Sequence, residues 1–144
     1  MGELNYKLVS SGKELKAAFE VRRQVFVEEQ GVSQDLEFDG RDSEALHMVV
    51  VDGDRVIGTA RVLFLAANQA KLERVAVLKP FRCKGIGRRV ISFLHEELSK
   101  RQVKQVVLHA QYSAVGFYKS CGFEEVGLFF CEAGIKHIKM TTCV

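Results

Sequence analysis

Apolar and polar positions along the chain repeat with two periods, and each change of period outlines an element. Leu15, Ala18, Phe19, Arg22 and Phe26 fall near the helical spacing within residues 13–29, with Ser11 ahead of them as a cap, which predicts a first helix. Residues 30–43 hold Gly31, Gly40 and several acids but few apolar side chains, so a surface loop or broken helix is expected. Residues 46–51 and 56–65 are rich in Val and Ile, and Asp52-Gly53-Asp54-Arg55 between them suits a tight turn, giving a β-hairpin. Residues 71–77 read as a strand with Val75 and Val77 on the face of Glu73, and Pro80 marks the end of any ladder. In residues 87–101, Val90, Ile91, Leu94 and Leu98 recur at helical spacing while Arg88, Glu96, Glu97 and Lys100 take other faces. A strand at residues 105–110 follows this amphipathic helix, and the β-loop-α-β unit has the length of a right-handed crossover between parallel strands. Residues 113–121 form a short helix with Ser113 as cap and Gly122 as terminator. Two last strands, residues 123–130 and 135–141, make a second hairpin around Ala133-Gly134.

Composition narrows the class. A chain of 144 residues that is 47% hydrophobic can build one substantial core, and its single proline and scattered glycines leave no linker, so one domain over residues 1–144 is expected. No apolar run approaches the roughly 18 residues that span a bilayer. Met1-Gly2-Glu3-Leu4-Asn5-Tyr6 holds no secretory core and no myristoylation signal, so a soluble, cytoplasmic protein with no membrane partner is the expectation. Cys83, Cys121, Cys131 and Cys143 are far apart and read as free thiols, and the dispersed Cys and His residues have no zinc-ligand spacing, so no metal is expected.

A net charge of +3 is too mild to mark a nucleic-acid partner, but its distribution is uneven. Residues 28–44 carry Glu28, Glu29, Asp35, Glu37, Asp39, Asp42 and Glu44, whereas Arg82, Lys84, Arg88 and Arg89 fall within eight residues. One region suits a cation and the other an anion. A strand, a loop with Gly85 and Gly87, and then a helix is the physical recipe for holding a phosphate: unpaired amides and the helix dipole face the ligand, and absent side chains let it approach. A dinucleotide-binding turn does not fit, because Val90 replaces the third glycine and position 107 is Val where an acid is needed. A Walker-type loop does not fit either, since no Gly-Lys-Ser/Thr follows.

Arg82-x-x-Gly85-x-Gly87 after Leu72-Glu73-Arg74-Val75-Ala76-Val77 resembles the acetyl-CoA signature of the GNAT acetyltransferase superfamily. Leu108-His109-Ala110-Gln111 with Ala114, Phe117-Tyr118 and Gly122-Phe123 is similar to that family's second block. The stretch from Val21 to Gln30, then Glu37-Phe38-Asp39 and Ala45-Leu46-His47, resembles the small ElaA/YjcF-like branch. The resemblance implies an α+β fold: a mixed, mostly antiparallel sheet flanked by helices, with a central parallel strand pair splayed around acyl-CoA. It implies acetyl-CoA as cosubstrate, with the backbone of Val75, Ala76 and Val77 along the pantetheine arm. Arg82, Cys83, Lys84, Gly85, Ile86, Gly87 and Arg88 would surround the pyrophosphate, with Gln111 and Phe117 as further contacts; Gln111 stands where the family more often has asparagine.

Acyl transfer to an amine needs a neutral nucleophile, a stabilised oxyanion and a proton for the departing thiolate. The resemblance makes Tyr118 the general acid, the alternative being a core tyrosine with a satisfied hydroxyl. It makes Glu73 a base for the acceptor's ammonium, the alternative being a glutamate paired with Arg74 or Lys71. The acidic segment at residues 28–44 belongs to the acceptor side or to a solvated loop, and His47 is a structural hydrogen-bonder or a pocket residue. The implied activity is direct N-acetylation of a primary amine on a small molecule or protein, in a ternary complex; the competing reading is a coenzyme A-binding sensor or assembly module without turnover. Small relatives make a homodimer plausible.

Overall fold

The computed structural model describes residues 3–144, so Met1 and Gly2, on which the myristoylation reading partly rests, lie outside the described residues. The first strand, β1 (Leu4–Leu8), was not anticipated, although Leu4, Tyr6 and Leu8 alternate with Asn5 and Lys7; it pairs antiparallel with β2 (Leu46–Asp52) from Leu4↔Asp52 to Leu8↔Met48. Helix α1 (Gly12–Arg22) starts as the cap predicts: the Ser11 hydroxyl accepts the Glu14 amide at 3.2 Å, and the Glu14 carboxylate accepts the Ser10 amide at 2.8 Å. From Arg23 to Glu29 the helix continues with π-type turns, and it closes where the Val32 amide donates to the Phe26 carbonyl at 2.9 Å. A short helix α2 (Gln34–Glu37) and a 3-10 turn at Asp42–Glu44 break the segment expected to be irregular.

The rest of the chain adds β3 (Arg55–Ala66), β4 (Gln69–Val77), α3 (Ile86–Lys100), β5 (Gln105–Gln111), α4 (Val115–Ser120), β6 (Glu124–Glu132) and β7 (Ile135–Cys143). All seven strands join one sheet in the order β1-β2-β3-β4-β5-β7-β6, and only β4 and β5 run parallel. This is the mixed α+β architecture expected. Ser113 does not cap α4: it sits inside a 3-10 turn, Ala114 takes the cap position without a side-chain hydrogen bond, and the helix starts at Val115. Gly122 does terminate it, with φ +96° and its amide on the Lys119 carbonyl at 3.0 Å. Ala133 and Gly134 turn the last hairpin with φ 51° and 74°, the twist that matches paired strands.

The core lies where the apolar stripe of α3 meets the sheet: Val90, Leu94 and Leu98 are buried with Ala70, Leu72, Leu108, Ala110 and Met140. Each large side chain so buried stabilises the fold by about 1.5–3 kcal/mol before entropy is counted. No helix among the described residues is long and apolar enough to cross a membrane.

Two irregularities of the sheet create the site. Parallel pairing runs from Gln69↔Gln105 to Leu72↔Leu108 and stops; beyond it β4 stays with β3, and β5 stays with β7. The second is a bulge. Arg61 pairs with Glu73 but Thr59 pairs with Ala76, so β4 carries one extra residue, and Arg74 absorbs it at φ 57°. Directly paired residues share a face, so Glu73 and Ala76 lie on one face while Val75 and Val77 lie on the other. Simple alternation had put Glu73, Val75 and Val77 together, and the inserted residue corrects that placement.

Candidate active site

The parting of β4 and β5 opens a cleft of about 610 Å³. Val75, Ala76 and Val77 form one wall, Leu108, His109 and Gln111 the other, and Ala114 and Tyr118 reach it from the segment that follows β5. Arg82 stands at one end, while Glu37, Asp39 and Arg41 stand at the acidic end.

The loop before α3 is a cradle of free donors. Cys83 has φ 63° and Gly85, in the cap position, has φ 81°, so successive amides turn toward one concavity. The first amide of this stretch with a backbone acceptor is Arg89, bonded to the Gly85 carbonyl at 3.2 Å; among the described residues the amides from Cys83 to Arg88 have none. The Ile86 side chain is buried and anchors the helix start in the core. Gly87 is required by packing, since a Cβ there would lie 3.1 Å from Cζ of Phe117.

The basic side chains behave differently from the backbone. Arg82 donates through Nε to the Val77 carbonyl at 2.8 Å and forks onto both oxygens of Glu29 at 2.9 Å. It therefore fastens the end of β4 to the π-helical segment. Arg88 holds the Ser120 carbonyl at 3.0 Å and its hydroxyl at 2.8 Å, closing the C-terminus of α4 onto α3. Lys84 and Cys83 are exposed. Gln111 donates to Gln30 at 2.7 Å, linking the end of β5 to the residue that closes the π-helical segment. Phe117 packs under Gly87 and edge-on to Tyr118 at 5.0 Å rather than lining the cleft.

Tyr118 is wedged between Phe117 and Phe123, with centroids at 5.0 and 5.7 Å. Burial pushes its phenol well above the ordinary value, with the nearby Cys121 adding to the effect. The group stays a neutral O–H donor across the physiological range.

The acidic end is a charge lattice that periodicity could not reveal. Arg61, fully buried, bonds Asp39 at 2.8 and 2.9 Å, Asp42 at 3.1 Å and Glu73 at 2.9 Å. Arg22, also buried, bonds Glu37 at 2.8 Å and Asp42 at 2.7 Å, and Arg74 reaches Glu37 at 3.1 Å. Lys71 sits 3.2 Å from the other oxygen of Glu73, so that carboxylate is held from two sides, with Arg74 close by. Burial acts to raise Glu73, yet Lys71, Arg61 and Arg74 together outweigh it and hold it below the usual carboxylate range. His47 bonds the Asp42 carbonyl at 2.8 Å, a structural contact.

Arg61 holds Asp39 far below its ordinary value, and Arg22 and Arg61 lower Asp42 against its burial; Glu37 alone is raised, because desolvation exceeds its pairing. The three depressed acids give stability that is complete above their unfolded values and is lost as pH falls through the folded ones. Melting temperature is therefore expected to hold near neutrality and drop below about pH 4, with Glu37 opposing weakly, and Asp39→Asn should flatten that acid slope. An equal slope in Asp39→Asn, measured by circular dichroism melts, would place the acid sensitivity elsewhere.

His109, Glu132 and His137 also line the cleft, and sequence reasoning missed them, since the histidines looked dispersed. Register brings them together: Gln111 pairs with His137, and Glu132 with Ile135. Among the described residues no group of three or more His, Cys, Asp or Glu side chains is arranged to hold a metal ion.

A sheet opened at its one parallel pair, beside a helix start with unpartnered amides, is the framework of an acyltransferase. The chain belongs to the GNAT family: the family model described as Acetyltransferase (GNAT) domain matches residues 10–143. It is 36% identical over 134 residues to YjcF of Bacillus subtilis, described as an uncharacterized N-acetyltransferase, covering 92% of this chain and 95% of that protein. The crystal structure of Escherichia coli ElaA superposes with a TM-score of 0.87 at 27% identity, covering 96% of this chain and 99% of that one. A solved acyl-CoA N-acyltransferase from Pseudomonas aeruginosa gives 0.86 at 25% identity, with coverage of 96% and 99%. These similarities agree with the ElaA/YjcF-like branch.

Proposed function

We propose that this protein is an acetyl-CoA-dependent N-acetyltransferase that moves an acetyl group directly to a primary amine of a small-molecule or protein acceptor, in a ternary complex in the cytoplasm. The observation that carries this reading is the run of unpartnered amides from Cys83 to Arg88, which follows directly on Arg82 in the lining of the cleft between β4 and β5. Those donors suit a diphosphate, and the exposed Lys84 adds charge. The backbone from Val75 to Val77 and the Gln111 side chain line the path for the pantetheine arm. Arg82, Arg88 and Phe117 shape the cradle by fastening β4, α4 and Gly87. Acetyl-CoA supplies the activated acyl carbon and a thiolate leaving group.

Tyr118 is assigned as the donor that protonates that sulfur. The ion pairs to Arg61 and Lys71 support an electrostatic part for Glu73: a carboxylate held ionised favours a cation in the cleft but accepts a proton poorly. Calorimetry with coenzyme A, followed by incubation with acetyl-CoA and pooled amines while free thiol is followed, tests the proposal. Heat on binding with amine-dependent thiol release is expected. Heat without release would leave a coenzyme A-binding module, and no heat would end the reading.

The cradle itself can be probed. Gly85→Ala forces a side chain onto φ +81°, a conformation that costs L-residues about 1–2 kcal/mol. Coenzyme A affinity is expected to fall about tenfold, as seen by calorimetry, with a melting temperature lower by about 3–8 °C from the same strain. Unaltered affinity would show that the loop geometry does not matter for binding.

A further inference from the structure

Three cleft side chains have no part in the chemistry assigned above. His109 lies on β5 one residue past the last parallel pair, His137 lies on β7, and Glu132 ends β6. The Phe130 ring packs beside both imidazoles, edge-on to His109 at 5.0 Å and stacked on His137 at 6.0 Å.

Their hydrogen bonds settle the tautomers. His137 Nδ1 is 2.7 Å from the Ile135 carbonyl oxygen, which can only accept, so Nδ1 carries the proton and a neutral His137 keeps its lone pair on Nε2. His109 Nδ1 is 3.0 Å from a Glu132 carboxylate oxygen, so the same reasoning leaves the His109 lone pair on Nε2. His137 Nε2 faces the other Glu132 oxygen at 3.8 Å, too far for a hydrogen bond. Two acceptors thus confront each other with no donor between them, on the cleft wall opposite Glu73. The cations of the facing strand are already engaged, Lys71 by Glu73 and Arg74 by Glu37 and Asp39; Lys139 is the register partner of His109.

We propose that His137, supported by Glu132 and His109, receives the primary ammonium of the acceptor and takes its proton, an assignment that rests on the N-acetyltransferase reading. An ammonium N–H bond breaks, an Nε2–H bond forms on His137, and the electron pair stays on the nitrogen as a neutral amine. The proton is later released to solvent. Glu132 offsets the imidazolium charge while it lasts, and His109 holds Glu132 in place. An ammonium can donate to both acceptors at once, whereas an anion at the same point would meet the carboxylate.

n-Butylammonium chloride serves as the binding probe, and the most reactive amine of the pool as the kinetic one. Titrating the protein with butylammonium should shift the imidazole nitrogen signals of His137 in NMR spectra, and Glu132→Gln should abolish that shift. His137→Asn keeps a donor for the Ile135 carbonyl but removes Nε2; kcat/KM should fall about 100-fold and the acidic limb of the pH-rate profile should vanish, with coenzyme A affinity within about twofold. His109→Asn, at a half-exposed position, should displace that limb rather than remove it. If His137→Asn does not fold, Glu132→Gln carries the kinetic test with the same expected direction. A retained acidic limb with kcat/KM within about threefold of wild type, or no His137 shift with butylammonium, would overturn the assignment. Absence of heat with coenzyme A would instead remove the transferase reading, while the butylammonium titration would still decide whether the ammonium site exists.

Discussion

Replacing Tyr118 by phenylalanine is expected to lower kcat about 100-fold while coenzyme A affinity stays within about twofold, because only a transition-state proton donor is lost. The ring itself should remain in place. It is held edge-on by Phe117 and Phe123, and the substitution keeps its shape. Burial holds the phenol protonated at neutral pH, so the donor is present in the resting enzyme rather than in a minor ionisation state. Steady-state thiol release and calorimetry on the same preparations give the two numbers. An unchanged kcat would return Tyr118 to a packing role, and a parallel loss of affinity would mean that the hydroxyl serves binding.

Replacing Arg61 by methionine is expected to destabilise the fold by about 3–5 kcal/mol, the usual consequence of removing one partner from a buried ionic cluster. Arg61 is fully buried and neutralises Asp39, Asp42 and Glu73, so its loss leaves three carboxylates short of a counter-charge. One nitrogen, Nε, is buried without a hydrogen-bond partner, and the cluster tolerates that cost because the other two guanidinium nitrogens are so fully used. Arg61→Lys should recover only part of the loss, since a single ammonium cannot reproduce the planar fork. Urea melts of the two variants and of Arg61→Met combined with Asp39→Asn are the measurement; the combined variant should regain stability over Arg61→Met. A loss below about 1 kcal/mol would show that the cluster behaves as an exposed surface pair.

Much of this protein was legible one residue at a time. The stripe of Val90, Leu94 and Leu98 marked α3, Ser11 marked the start of α1, and Gly85 and Gly87 marked the turn whose amides stay free. Such signals are local, carried by spacing and by residues with special backbone preferences. Other contacts were not legible because their determinants are not local. The motif around Arg82 does not show that its guanidinium forks onto Glu29, far away along the chain. The sequence leaves Glu73 either a base or a partner of Arg74 or Lys71, and the strand beside it delivers a further partner, Arg61, that spacing along the chain does not show.

The sequence by itself determined the order of elements after β1, the two hairpins and the glycine turn ahead of α3, because helix period, strand period and turn chemistry are written in neighbouring residues. Tertiary structure decided which side chains meet. The extra residue at Arg74 exchanges the faces of β4, the divergence after Leu72↔Leu108 makes the cleft, and the β5-β7-β6 register gathers His109, Glu132 and His137. Strand pairing has a period of two residues, so a single inserted residue or a one-place slip reassigns every side chain beyond it, and that choice is made only when the strands dock.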